Sequence, residues 1–392
     1  MRLLLVLCLV SPFVSANMVS TALGAQNVAN TNQKGSLLVF PRIDIRNSMD
    51  TVIQINNDYE AVKLKCFWYM RLQQAAEFEL EIPRSGLVWF SARTGVGTIA
   101  SQFPVNIPPF PGTAGELVCF ATDGMGSQQI SFNHLSGTAK IYQFLLGTAL
   151  EYGSWNFTAR VPYGCPVGPP GLLPLTGDSN GYDACPQYLV SQVPVYGSTQ
   201  ETFGRIRNLG VQATLSLCSK DLRSDYNQVY TRANFTLWDE NGNKFGIAYK
   251  CLNTWFEGYL HQLGPRPDPL SKLPVGGYGG DLFTVATLHS PVARVRIDGV
   301  RSTGCESPYY LKRPITQANY NKIGIGPTGS SQAVPLLGLF ISNEQIIAPK
   351  GTCSKTATLT VPATAGYNPG SCIRYDPTSD VIPEFVAKGL AN

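Results

Sequence analysis

The sequence predicts an all-β chain of two antiparallel β-sandwiches in tandem, joined by a disulfide-stapled connector. Short runs of alternating apolar and polar residues, each closed by a turn cluster, recur along the chain. Glycine and proline number 38 and 28 among 392 residues, which suits a chain with many turns. The cysteines are dispersed and form no C-x-x-C pair, the pattern of a disulfide framework rather than of a zinc ribbon or a redox motif. Turn-delimited short strands of this spacing are characteristic of immunoglobulin-like sandwiches.

The elements follow in order. Met1 and Arg2 precede an apolar run over residues 3–10, and Val14-Ser15-Ala16 supplies a small-x-small cleavage site. That order is a secretory signal peptide, so residues 1–16 are expected to be removed. Cys8 interrupts the apolar run instead of following it, which argues against a lipoprotein. Residues 17–34 read as a flexible N-terminal segment. No later stretch reaches the ~18 apolar residues that a membrane span requires.

The first sandwich is expected over residues 35–161, with β segments at 36–45, 51–55, 62–70, 87–91, 117–121, 129–135 and 138–144. Residues 62–70 alternate at first and then turn apolar on both faces, as a strand with one solvated and one buried end would. Gln73-Gln74-Ala75-Ala76 is the best helical candidate, of a turn or two. Residues 162–210 form a Pro/Gly-rich connector, opened by Cys165-Pro166-Val167-Gly168-Pro169-Pro170. The second sandwich is expected over residues 211–349, and residues 350–392 are a C-terminal tail. Within the second sandwich, Asp239-Glu240-Asn241-Gly242-Asn243 separates two β-like runs, and Asn-Gly is a strong hairpin signal. A shift of 251 − 66 = 185 aligns Cys66 with Cys251, Lys65 with Lys250 and Thr51 with Thr236, which suggests a tandem duplication.

Gly35-Ser36-Leu37-Leu38-Val39-Phe40-Pro41, Asp50-Thr51-Val52-Ile53-Gln54-Ile55-Asn56-Asn57, Lys65-Cys66-Phe67-Trp68 and Gly115-Glu116-Leu117-Val118-Cys119 stand out as distinctive segments. Together they resemble a group of uncharacterised bacterial exported proteins. The resemblance covers residues 35–190 best. It implies a bacterial, exported protein and supplies no activity.

Removing Cys8 with the signal peptide leaves nine cysteines. The near-equal separations of Cys66 from Cys119 (119 − 66 = 53) and of Cys251 from Cys305 (305 − 251 = 54) suggest one inter-sheet bridge in each sandwich. Cys165–Cys185 and Cys353–Cys372 would then staple the connector and the tail. Cys218 is left as a buried free thiol, or as the partner of a cysteine in another chain.

Candidate chemistry is sparse. His134, His261 and His289 are the only histidines, and none lies in a catalytic motif. Glu77, Glu79 and Glu81 alternate, as a solvated strand face does. Asp178, Asn180 and Asp183, in D-x-N-G-x-D spacing, are the candidate calcium ligands, although the loop lacks the closing Glu of an EF-hand and an Asx turn explains it equally. Asn156 and Asn234 begin N-x-T sequons. Trp68, Trp89, Trp155, Trp238 and Trp255 all lie on or beside β runs, where core packing is the ordinary role. Charged residues make up 14% of the chain, the formal net charge is +4 and the basic residues form no stripe, so nucleic acid is a poor partner.

The expected function is that of a non-catalytic secreted interaction or structural protein of the cell surface or extracellular matrix, with an extracellular protein or a glycan as partner and no cofactor apart from candidate calcium. The alternatives are a carbohydrate-binding or calcium-dependent adhesive module and, further back, an exported hydrolase.

Overall fold

A computed structural model describes residues 27–70, 74–99, 103–144, 148–175, 177–186, 188–195, 199–202, 205–218, 231–252, 255–260, 290–301, 336–348, 359–360 and 372–375. The signal peptide, His261, His289, Cys305 and Cys353 lie outside these residues, as do the side chains of Cys251 and Cys372. The described chain is all β, and its sheets are antiparallel.

The first half contains β1 (Leu37–Asp44), β2 (Met49–Asn57), β3 (Val62–Tyr69), β4 (Gln74–Ile82), β5 (Leu87–Ser91), β6 (Val96–Ile99), β7 (Phe103–Asn106), β8 (Ala114–Thr122), β9 (Leu135–Gln143), β10 (Thr148–Gly153) and β11 (Trp155–Phe157). They form a five-stranded sheet in the order β11-β1-β8-β3-β4 and a six-stranded sheet in the order β10-β9-β2-β5-β6-β7. The two enclose one apolar core, where Leu38, Phe40, Leu64, Trp68, Leu117 and Ala121 of the first sheet meet Ile53, Ile55, Val88, Phe90, Ala139 and Ile141 of the second. Gly97 of β6 is needed for close approach, because a Cβ there would collide with the Trp89 main-chain carbonyl oxygen. Backbone cannot yield as a side-chain tip can, so Gly97→Ala is expected to cost about 1–3 kcal/mol in chemical denaturation. Unchanged stability would show that β5 and β6 separate without cost.

The second half contains β12 (Tyr188–Pro194), β13 (Thr199–Thr202), β14 (Arg205–Leu217), β15 (Thr231–Trp238), β16 (Lys244–Leu252), β17 (Trp255–Tyr259), β18 (Val292–Arg301), β19 (Leu336–Ala348), β20 (Leu359–Thr360) and β21 (Cys372–Tyr375). One sheet runs β12-β18-β15-β16 and the other β13-β14-β19-β21-β20, with β17 pairing β14. The hairpin between β15 and β16 is built as its sequence indicates. Asp239 Oδ1 accepts from the amides of Asn241 and Asn243, and Gly242 takes a φ of +82°.

The middle of the five-stranded sheet, β1 and β8, is buried on both faces. Leu37, Val39, Phe67, Val118, Phe120, Trp155 and Phe157 point away from the first core. They belong to a second core shared with Val167, Leu173 and Tyr182, and with Leu189, Leu215, Phe235 and Ile297 of the second half. The segment expected as a connector is therefore a covering layer. Its later part is β12, an edge strand registered on β18 from Tyr188↔Asp298 to Pro194↔Val292. The expected boundary at residue 211 falls inside β14, and the expected tail contributes β20 and β21 to a sheet.

Other expectations are corrected. Gln74, Ala75 and Ala76 lie in β4, not in a helix, because β4 pairs along the whole of β3 and this pairing overrides local propensity. Cys66 and Cys119 are bonded, but they are direct partners on neighbouring strands of one sheet, with Cα atoms 4.1 Å apart, so the bridge does not join two sheets. Cys185 bonds to Cys218 rather than to Cys165, so Cys218 is not a free thiol, and Cys165 is itself in a disulfide. The bridge from Cys185 fastens the covering segment to the end of β14, where both cysteines are buried. The duplication alignment equates β2 and β3 with β15 and β16. The first pair lies in two different sheets, whereas the second pair is a hairpin.

The two halves meet through a buried ionic network that begins at a bulge. Between Phe40↔Leu117 and Ile43↔Gly115, Pro41 and Arg42 oppose Glu116 alone. Proline has no N–H to leave unpaired, so it suits such a bulge. The Pro41 carbonyl accepts the Trp255 indole N–H at 2.7 Å, and in the reverse sense the Trp155 indole N–H donates to the Gly338 carbonyl at 3.1 Å. Arg42 and Asp44 both face the second half. Arg42 Nη2 lies 2.9 Å from Asp44 Oδ2 and 3.0 Å from Glu257 Oε1, and its Nη1 donates to Gln212 Oε1 at 2.7 Å. Arg46 bridges the same two carboxylates, at 2.6 Å from Glu257. Burial alone would raise the Asp44 carboxyl, but the Arg46 hydrogen bond and the charges of Arg42 and Arg46 outweigh it and hold that carboxyl below its usual range.

Candidate functional site

Among the described residues, exposed and chemically versatile side chains gather around His134. Four separate parts of the chain supply it: Lys34 ahead of β1, Asp58, Tyr59 and Glu60 between β2 and β3, Phe132 to His134 ahead of β9, and Tyr163 after β11. The loop bearing His134 is fixed by a polar knot. Ser36 Oγ accepts from the amides of Phe132 and Asn133, each at 2.8 Å, and donates to Asn133 Oδ1 at 2.6 Å. Asn133 in turn donates to the Ala159 carbonyl and accepts from the Ala159 amide. Its φ of +49° lies in the left-handed region, which asparagine tolerates better than most residues.

On this frame His134 Nδ1 lies 3.0 Å from Asp58 Oδ1, and Lys34 pairs with the other Asp58 oxygen. The Lys34 hydrogen bond, with the help of the His134 hydrogen bond and the Lys34 charge, outweighs desolvation and keeps the Asp58 carboxyl low. The His134 ring stacks on Tyr59, with centroids 4.4 Å apart, while Tyr163 meets Tyr59 edge-on at 5.5 Å. Phe132 is buried beneath these rings. Tyr163 donates to Glu60 Oε2 at 3.3 Å, and desolvation together with the Glu60 charge pushes its phenol up to about 12. Tyr59 and Tyr163 remain 39% and 44% exposed, large values for aromatic side chains held by neighbours on several sides. Chemically the cluster offers ring surface beside a carboxylate-bound imidazole, a second carboxylate and an ammonium group.

No protein-family model matches the sequence, and no curated protein and no solved structure matches it.

The candidate calcium residues are not brought together as ligands. Asp178 closes an Asx turn by accepting the Asn180 amide at 3.0 Å, which is the turn reading of that loop. Asp183 is buried, and its carboxylate accepts from Gln33 Nε2 at 2.8 Å and from the Thr158 amide at 3.1 Å, with Arg160 3.4 Å away. Its oxygens are thus committed to the fold. Among the described residues no group of three or more His, Cys, Asp or Glu side chains is placed to hold a metal ion. Glu77 and Glu79 are exposed on β4 and sit 3.6–3.7 Å from Lys65 and Lys63 of β3, and such charges also blunt an edge strand against further pairing. Asn156 of the first sequon is buried and donates to the Gln33 carbonyl.

The parts of the His134 cluster that sequence reasoning missed are Lys34, Asp58, Tyr59, Glu60 and Tyr163. Asn56-Asn57-Asp58 marks a turn in the sequence, but the approach of its neighbour Tyr59 to Tyr163 depends on where the segment after β11 runs. The disulfides Cys66–Cys119 and Cys185–Cys218 are compatible with an extracellular protein. No helix among the described residues is long and apolar enough to cross a membrane.

Proposed function

We propose that the chain is exported and acts as a non-catalytic interaction or structural protein of the cell surface or extracellular matrix, with two tandem immunoglobulin-like sandwiches as its plan. The observation that carries this reading is the ring-and-charge cluster in which the exposed Tyr59 and Tyr163 rings flank a half-buried His134, whose loop the Ser36–Asn133 hydrogen bonds hold in place. Binding residues concentrate on loops held by a rigid scaffold. Disulfides support export, since they persist in oxidising compartments.

Between an extracellular protein and a glycan as partner, the glycan is favoured by one specific feature. Exposed tyrosine rings adjoin Asp58, Glu60 and Lys34, and sugars need both apolar ring surface and hydrogen-bonding edges. Calcium has no part in this reading, because Asp183 is turned inward.

A glycan array and a panel of immobilised matrix proteins, each probed with the secreted protein, test it. Tyr59→Ala combined with Tyr163→Ala is expected to weaken binding at least tenfold, with secretion and melting temperature little changed. Undiminished binding by this pair would remove the cluster from the function. Binding that requires calcium would restore the adhesive-module alternative.

A further inference from the structure

We propose that the outward face of the sheet β12-β18-β15-β16 binds an acidic polysaccharide of the polyuronate type. The surface is separate from the His134 cluster and goes beyond the reading built on it.

On β18, Ala293, Val295 and Ile297 point into the core while Arg294 and Arg296 are exposed between them. Strand register sets their neighbours in rows across the sheet. Lys244, Trp238, Arg294 and Gln192 stand opposite one another in one row, and Thr236, Arg296 and Val190 in the next. Successive rows on one face are about 7 Å apart, since they are two residues apart along each strand. The Arg294 guanidinium carbon lies over the Trp238 ring, 5.9 Å from its centroid, and that of Arg296 over Tyr188 at 4.5 Å. Among the described residues of these rows and the next, Asp298 is the one carboxylate, and it engages Arg296 through Nε at 3.3 Å. Arg294 makes no ion pair or hydrogen bond among the described residues.

These observations select the ligand by its chemistry. A guanidinium laid against a ring is pre-ordered, so it loses little freedom when its planar edge meets a carboxylate in bidentate fashion. Arg294, Arg296 and Lys244 facing one Asp298 give the surface a positive excess that a polyanion complements. Gln192 and Asn234 add amide groups that sugar hydroxyls can meet. A single-stranded nucleic acid would instead need open ring faces on which its bases could stack, and here the Trp238 and Tyr188 rings are covered by arginines. No stripe is visible along the chain, because Trp238, Lys244, Arg294 and Tyr188 come from four strands.

The experiment measures binding of the full chain to polygalacturonate, alginate, neutral dextran and single-stranded DNA, at low salt and at high salt. Polyuronate binding that weakens with salt is expected, with none to dextran and weaker binding to DNA. Arg294→Gln combined with Arg296→Gln is expected to lower polyuronate binding at least tenfold, while Tyr59→Ala with Tyr163→Ala leaves it unchanged. No polyuronate binding, tighter binding to DNA, or full binding by the arginine variant at an unchanged melting temperature would each overturn the proposal. The wild-type ligand preferences decide the matter even if the arginine variant folds poorly.

Discussion

Asp44→Ala is expected to destabilise the protein by about 3–5 kcal/mol, read as a lower urea midpoint, because removing one member of a buried ionic network leaves its partners uncompensated. Asp44 is fully buried between Arg42 and Arg46, and Glu257 is the other carboxylate they share. Without Asp44, two guanidinium groups crowd a single carboxylate in a site from which water is largely excluded. The folded-state pKa of Asp44 is depressed, so its contribution is fully present above the unfolded value of about 3.9 and is lost as pH falls through the lower folded value. Wild-type stability should accordingly fall more steeply on acidification than that of Asp44→Ala. Parallel acid limbs would show that the network holds no net charge-dependent stability.

The second large effect is expected at the bridge inside the first core. Cys66→Ala combined with Cys119→Ala should lower stability by about 2–5 kcal/mol. The bond closes a separation of 53 residues, for which the chain-entropy model gives about 4 kcal/mol. Both residues are fully buried among Leu64, Trp68, Leu117 and Ala121, so truncation also removes packing there. Denaturation of the double variant alongside the oxidised protein checks this, and equal midpoints would refute it. Because the cysteines are direct cross-strand partners, pairing of β3 with β8 already brings them together, and expression of the variant should fall less than that of Asp44→Ala.

Much of the β architecture was legible in local pattern. The run over residues 62–70 was read as solvated at one end and buried at the other. In the fold Lys63 and Lys65 meet glutamates at the surface, while Phe67 and Tyr69 enter the second core. Asn241-Gly242 forms its hairpin, and Glu77, Glu79 and Glu81 share a solvated strand face. What stayed hidden depends on pairing over long distances. Cys185 could bond to several cysteines at comparable cost in chain entropy, and only the path of the covering segment selects Cys218. Arg46 and Glu257 are 211 positions apart, and no local pattern links them. Asp183 carries a ligand-like spacing, yet its direction is set by Gln33 and Thr158. The sheet at the centre conceals itself in another way, since strands apolar on both faces lack the alternation that would reveal a second packed layer.

The bulge in β1 has a consequence for how one strand can serve two environments. Side chains on a strand alternate, so position parity decides which side each one visits. Leu38 and Phe40 line the first core, and strict alternation beyond them would send Arg42 and Asp44 into that same apolar space. The extra residue at Pro41–Arg42 inverts the parity. Ile43 takes the inward place, and both charges emerge on the opposite side, against Gln212 and Glu257. Pairing β1 and β8 without the bulge, at unchanged length, would act like a frameshift confined to a single strand and would exchange an isoleucine for an ion pair at the centre of a hydrophobic layer, whereas deleting one of the two bulged residues would leave Ile43 facing inward.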